Sequence, residues 1–139
     1  MGIDHILVAI DGSEAAARAL AMAANLAGKL SARMTIAHVL PTYEGPPDSN
    51  FEPFERAAEA YAQQLLASGI RSSGLPAEQV ETAVLRGDSA SAVADCADRV
   101  KADLVVVGSR GRGTVTRMLM GSVSDRLVHI CNLPVLVVR

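Results

Sequence analysis

Two glycine-containing segments of this 139-residue chain have residue types suited to holding an anion. One runs Gly108-Ser109-Arg110-Gly111-Arg112-Gly113, and the other is Gly121-Ser122. Glycines let backbone N–H groups approach phosphate oxygens, and a helix N-terminus behind them adds partial positive charge. Ser122 and Ser124 add hydroxyl donors, while Arg110, Arg112, Arg117 and Arg126 gather positive charge in or beside the segment. The alternative is a loop whose glycines only keep it flexible. Near the start, Asp11-Gly12-Ser13 sets a carboxylate beside a turn glycine and a potential capping serine. Asp11 either accepts a hydrogen bond from a ribose hydroxyl or caps the helix that follows, and these three residues weight both equally.

Better-known motifs fail on single positions. Gly108-x4-Gly113 has P-loop spacing, but Thr114 stands where the lysine is required. Gly111-Arg112-Gly113 opens like a dinucleotide fingerprint, but position 116 is Thr and the segment follows a late strand. No G-x-S-x-G elbow supports a serine hydrolase. His5, His38 and His129 form no i, i+4 pair, so no metal ligation by side chains is expected, and His38 reads as a hydrogen-bonded core residue. Cys96 and Cys131 lack CxxC spacing, which argues against a disulfide framework or a structural zinc site. Cys96 reads as a packed thiol and Cys131 as a more accessible one.

Composition narrows the function classes. Thirteen Lys+Arg against 15 Asp+Glu give a net charge of −2, unlike the basic domains that bind nucleic acid. Aromatics are 3% of the chain, too few for base-stacking platforms. The N-terminus lacks a basic n-region and cleavage site, and no apolar run approaches the roughly 18 residues of a membrane span. Together with reduced thiols, this predicts a cytoplasmic single domain over residues 1–139 that engages neither membrane nor nucleic acid.

The elements that must position these residues alternate. Apolar runs Ile6 to Ile10, Leu104 to Val107 and Val135 to Val138 read as parallel strands buried on both faces, with weaker strands at Met34 to Val39 and Val80 to Leu85. Between them the spacing predicts a helix over Glu14 to Leu30, with Leu20, Ala24, Ala27 and Leu30 inward. A second carries Phe54, Ala58, Tyr61 and Leu65 inward. A third carries Val93, Cys96, Ala97 and Val100 inward and starts at Asp88 or Ser89, and the fourth covers Ser122 to Ile130. Leu40 to Pro53 has loop composition and reads as a mobile surface excursion. The β-α alternation implies right-handed crossovers and a doubly wound α/β sheet, with ligands outside the carboxyl ends of the strands.

Gly108-x2-Gly111-x9-Gly121-Ser122, after a strand and before a helix, resembles the G-x2-G-x9-G-[S/T] signature of the nucleotide-binding branch of the universal stress protein family. Val8-Ala9-Ile10-Asp11-Gly12-Ser13, Ala37-His38-Val39, Asp103 to Gly108 and Leu133 to Val138 extend the resemblance over nearly the whole chain. It implies a five-stranded Rossmann-like sheet of the adenine nucleotide alpha hydrolase-like type, in order 3-2-1-4-5. It implies ATP as ligand: Ala9, Asp11 and Val39 at the adenosine, Gly108, Arg110, Gly111, Gly121, Ser122, Val123 and Ser124 at the phosphates. Mg²⁺ or Mn²⁺ would be bridged by those phosphates. It also implies a stress-response signalling module with at most slow ATP hydrolysis, working as a homodimer through Val135 to Val138 with a signalling partner. The family's other branch suggests a nucleotide-free adaptor, and an ATP-dependent hydrolase or nucleotidyl transferase is a further alternative. Leu40 to Pro53 has no counterpart in the pattern. A receiver domain shares the architecture but needs clustered acids where this chain has Asp11 alone, and Asp88 is better read as a helix cap.

Overall fold

The computed structural model describes residues 2–110 and 120–139. Five strands, β1 (His5–Ala9), β2 (Arg33–Val39), β3 (Val80–Leu85), β4 (Leu104–Gly108) and β5 (Val135–Val138), form one parallel sheet ordered β3-β2-β1-β4-β5. The order reverses between β1 and β4, as the family resemblance implies.

Each central strand buries both faces, so alternate residues feed two cores. Ile6, Val8, Met34, Ile36 and Val106 face α1 (Glu14–Leu30) and α2 (Glu52–Ser73). Leu7, Ala37, Val105 and Val107 face α3 (Ser89–Arg99) and α4 (Ser122–Ile130). Continuous Val/Ile/Leu runs are the consequence. The face of α1 that meets the sheet is mostly alanine, with Ala16, Ala19, Ala23 and Ala27 buried around Leu20, so the helix axis lies close to the strands. Leu30, expected inward, is instead 48% exposed, because α1 ends there and Ser31 turns left-handed at φ 53°.

The second helix departs most from expectation. Its buried residues are Ala62, Leu66 and Gly69, whereas Phe54 is 59% and Tyr61 37% exposed. The buried stripe is displaced by one residue from the predicted one. Gly69 explains the choice: a β-carbon there would stand 3.4 Å from Ile36 Cδ1 and Leu20 Cδ2, so the small-residue face lets α2 settle on the sheet. The helix also begins inside the expected loop, at Glu52. The remaining loop has its own packing, with the Tyr43 ring stacked on Phe51 at 5.8 Å and tilted against Phe54 at 6.0 Å.

Candidate functional site

The site is built where β1 and β4 leave the sheet side by side. Their register pairs Ile6 with Leu104, Leu7 with Val105 and Val8 with Val106, so the segments starting at Ile10 and Ser109 emerge together at the switch point. The Ser13 hydroxyl donates to Arg110 O at 3.4 Å across the two loops.

On the β1 side, Gly12 takes φ 87°, which favours glycine. Asp11 Oδ1 accepts the Ser13 N–H at 2.9 Å, an Asx turn that braces the bend. Ser13 Oγ in turn accepts the Ala16 N–H at 3.1 Å and is the cap of α1. Ser13 is therefore the N-cap of α1, and the half-buried Asp11 carboxylate braces the turn at the strand tip. Ala9 and Val39, the last residues of β1 and β2, are half-buried beside it.

On the β4 side, Gly108 packs against the first turn of α1, where a β-carbon would stand 2.8 Å from Ala15 C and 2.9 Å from Ala16 N. The next residue, Ser109, is the hub that sequence reasoning passed over. It is buried, its N–H donates to Val138 O at 2.6 Å, and its carbonyl accepts the Gly121 N–H at 2.5 Å. The buried Ser124 hydroxyl lies 3.1 Å from both Ser109 O and Gly121 O, so its single proton is shared between carbonyls that tie the loop to α4. Ser109 carries no motif signature; only the backbone pairing reveals it.

Gly121 is the N-cap of α4 in extended conformation, with no side chain capping the first turn. That leaves helix N–H groups for an anion or solvent, and Ser122 and Val123 are exposed there. Arg110 is half-buried at the rim. Arg126 is turned elsewhere: it meets Asp88 Oδ1 at 3.2 Å, so it does not add to the charge expected at the loop. Gly111, Arg112, Gly113 and Arg117 lie outside the described residues.

The other candidates resolve simply. Asp88 accepts the Ser91 N–H at 3.1 Å and caps α3; Ser91 and Arg126 hold its carboxyl below the usual range. His38 is buried and bonds to Ile10 O, His5 is buried and meets Thr35 Oγ1 at 2.7 Å, and His129 meets Asp125 O at 2.7 Å. Cys96 is fully buried and Cys131 only partly. Among the described residues no group of three or more His, Cys, Asp or Glu could hold a metal ion, and no helix is long and apolar enough to cross a membrane. A concavity of about 150 Å³ reaches the site through Gly12 and Ser13, between α1 and α2. A larger one, about 310 Å³, lies among Gly28, Arg33, Pro76 and Gln79 and shares no residue with the switch point.

Comparison with known proteins fits this geometry. The model described as "Universal stress protein family" matches residues 2–139. A Thermus aquaticus relative, "Universal stress protein in QAH/OAS sulfhydrylase 3'region", is 38% identical, covering 96% of this chain and 97% of its own. The solved universal stress protein UspA from Lactobacillus plantarum superposes with a TM-score of 0.87 at 25% identity, over 100% of this chain and 99% of its own. A universal stress protein from Archaeoglobus fulgidus, solved in complex with dAMP, gives a TM-score of 0.71 at 26% identity over the whole of both chains.

Proposed function

Because this chain belongs to the universal stress protein family, we propose that it binds an adenine nucleotide, ATP in particular, at the β1/β4 switch point and acts as a stress-response signalling module. The observation that carries the reading is the pairing of the Asp11 turn with the loop that runs from Gly108 toward the uncapped start of α4. One side offers a carboxylate for ribose hydroxyls, the other backbone donors and a helix N-terminus for phosphates. The Archaeoglobus relative's dAMP supports an adenine ligand for this fold.

In this reading Asp11 holds the sugar while the backbone of Ala9 and Val39 borders the base. Gly108, Arg110, Gly111, Gly121, Ser122 and Val123 surround the phosphates, with Ser124 holding that wall together from behind. The uncapped first turn of α4 suits phosphate oxygens, and a divalent cation, Mg²⁺ or Mn²⁺, would be held by those phosphates and neutralise their charge. Among the described residues no hydroxyl or thiol at the switch point is seen paired with a general base, and the buried Thr35–His5 pair lies at the far end of β1, so hydrolysis is expected to be slow. The working form is a cytoplasmic homodimer joined through β5, the strand at one edge of the sheet.

Calorimetric titration of nucleotide-stripped protein with ATP, AMP and Mg²⁺ tests this. Saturable ATP binding is expected, and Gly111→Val, which puts a branched side chain beside the phosphates, should weaken it in a folded variant. Absence of binding to any adenine nucleotide would make the chain an adaptor. Turnover far above background would make it an enzyme.

A further inference from the structure

His38 stands at the carboxyl end of β2, 6% exposed, with Nδ1 2.8 Å from Ile10 O. A carbonyl only accepts, so Nδ1 carries the proton and the imidazole donates. The Tyr61 ring of α2 packs edge-on against it, with centroids 5.9 Å apart and planes at 70°. The imidazole is held between sheet and helix.

The carbonyl it takes has another natural partner. A strand between two parallel neighbours directs its backbone groups alternately to one and the other. Ile10 N–H donates to Ala37 O and Leu40 N–H to Leu85 O, both at 2.8 Å, so Ala37 and Val39 face β1 while His38 and Leu40 face β3. The next rung toward β1 would run from Val39 N–H to Ile10 O. Among the described residues this rung is not made, and Ile10 O carries the His38 bond instead. Just beyond, the turn at Gly12 takes the chain away into α1. By the same alternation the N–H of half-buried Val39 points to the β1 side, past the end of that strand at Ala9.

Resting on the adenine-nucleotide reading above, we infer that His38 is a positioning residue for base recognition. With the Ile10 carbonyl turned to His38 and the rung unmade, the Val39 N–H, which the functional reading already sets at the base, stays open to a ring nitrogen of adenine. Guanine bears an N–H where adenine N1 has a lone pair, so this donor selects against it. His38 needs no contact with the nucleotide to do this.

Backbone amide exchange on the full chain, followed by NMR, tests the inference. In nucleotide-free protein the Val39 amide exchanges freely while Ile10 is protected, and saturating ATP slows Val39 by about tenfold or more. His38→Phe keeps a ring but no donor, so Val39 becomes protected without nucleotide and ATP affinity falls about tenfold. His38→Asn places an amide N–H near the Nδ1 position and returns affinity to within about threefold of wild type. A Val39 amide already protected in the free wild type, or indifferent to bound nucleotide, overturns the inference, and neither measurement depends on a variant folding. So does a folded His38→Phe that binds ATP as wild type does. Wild-type protein that binds no adenine nucleotide overturns the functional reading and the ligand half of the inference with it. The free-state exchange pattern distinguishes that outcome from failure of the His38 contact itself.

Discussion

Gly108 approaches Ala15 so closely that a β-carbon at 108 would stand 2.8 Å from the Ala15 carbonyl carbon and 2.9 Å from its methyl group. Backbone on both sides leaves nothing flexible to yield. A glycine of the anion-binding pattern therefore also sets the distance between β4 and α1, and with it the position of the Asp11 turn that feeds α1. Gly108→Ala is expected to destabilise the fold by about 1–3 kcal/mol through overpacking and to weaken nucleotide binding together with it. Gly28→Ala is the contrast. A β-carbon there meets only Leu75 Cδ2, at an ordinary 3.7 Å, inside α1, and should stabilise by about 0.5–1 kcal/mol. Urea midpoints moving in opposite directions at constant m-value would bear this out; equal midpoints would remove the packing role of Gly108.

At the opposite end of β1, His5 links three strands. Its Nε2 meets Thr35 Oγ1 at 2.7 Å and lies 4.0 Å from Glu81, which pairs with Arg33 at 2.6 Å, while its N–H donates to Asp103 Oδ2. Burial, and then the Arg33 charge, lower its pKa below the usual value, outweighing Glu81 and Asp103. The unfolded chain therefore takes up a proton at higher pH than the folded one. This contribution to stability is full above the unfolded value of about 6.5 and is lost as pH falls below it, down to the folded pKa. Urea titrations at pH 7.5 and 5.5 should show the loss, and His5→Gln should reduce it. An identical pH slope in that variant would exclude His5 as its source.

The sheet was legible because its physics is local: both-face burial writes Ile6 to Val8 and Leu104 to Val107 as unbroken apolar runs, and Asp88 and Ser13 sit where caps must. Orientation of α2 was not. A periodicity argument follows the largest side chains, Phe54, Tyr61 and Leu65; Leu65 does pack partly against the core, but the helix is seated on Ala62, Leu66 and Gly69, with Gly69 giving the close approach to Ile36 and Leu20. The candidate site was proposed from glycine spacing, and of those glycines the structure brings Gly108 and Gly121 together through the Ser109 carbonyl. What escaped were contacts made by backbone alone, above all Ser109, whose N–H and C=O hold β5 and α4 to the loop.

Two serines of α4 separate binding from stability. Ser122 is exposed at the first turn, while the buried Ser124 hydroxyl donates to the carbonyls of Ser109 and Gly121. Ser122→Ala should lower ATP affinity a few-fold and leave the unfolding midpoint unchanged. Ser124→Ala removes a buried donor and should cost about 1 kcal/mol of stability. Calorimetry and denaturation on both variants read the two effects apart; a Ser122→Ala protein with unaltered ATP affinity would take the α4 start out of the phosphate site.

The two thiols should also separate. Cys96 is fully buried, and desolvation pushes its thiol pKa up, so little reactive thiolate forms. Cys131, just past α4, is partly exposed. An aromatic disulfide reagent should modify one thiol per folded chain and two in denaturant, and Cys131→Ser should abolish the folded-state reaction. Two rapid equivalents from the native protein would show that the α3 face opens readily.

The proposed dimer makes a demand on one backbone donor. Val105 N–H donates to Pro134 O and Ser109 N–H to Val138 O, so by alternation residues 134, 136 and 138 face β4 and Val135 and Val137 direct their N–H and C=O groups outward from the sheet. Proline at an edge strand is tolerated where its missing N–H would point away from the sheet. Val137→Pro should therefore preserve the fold while removing a donor needed for strand pairing across a two-fold axis. Sedimentation equilibrium is expected to give a dimer for the wild type and a monomer for the variant at the same concentration, with unchanged far-ultraviolet dichroism. A folded variant that remains dimeric would place the interface elsewhere, with exposed Val128 and Ile130 of α4 the next surface to test.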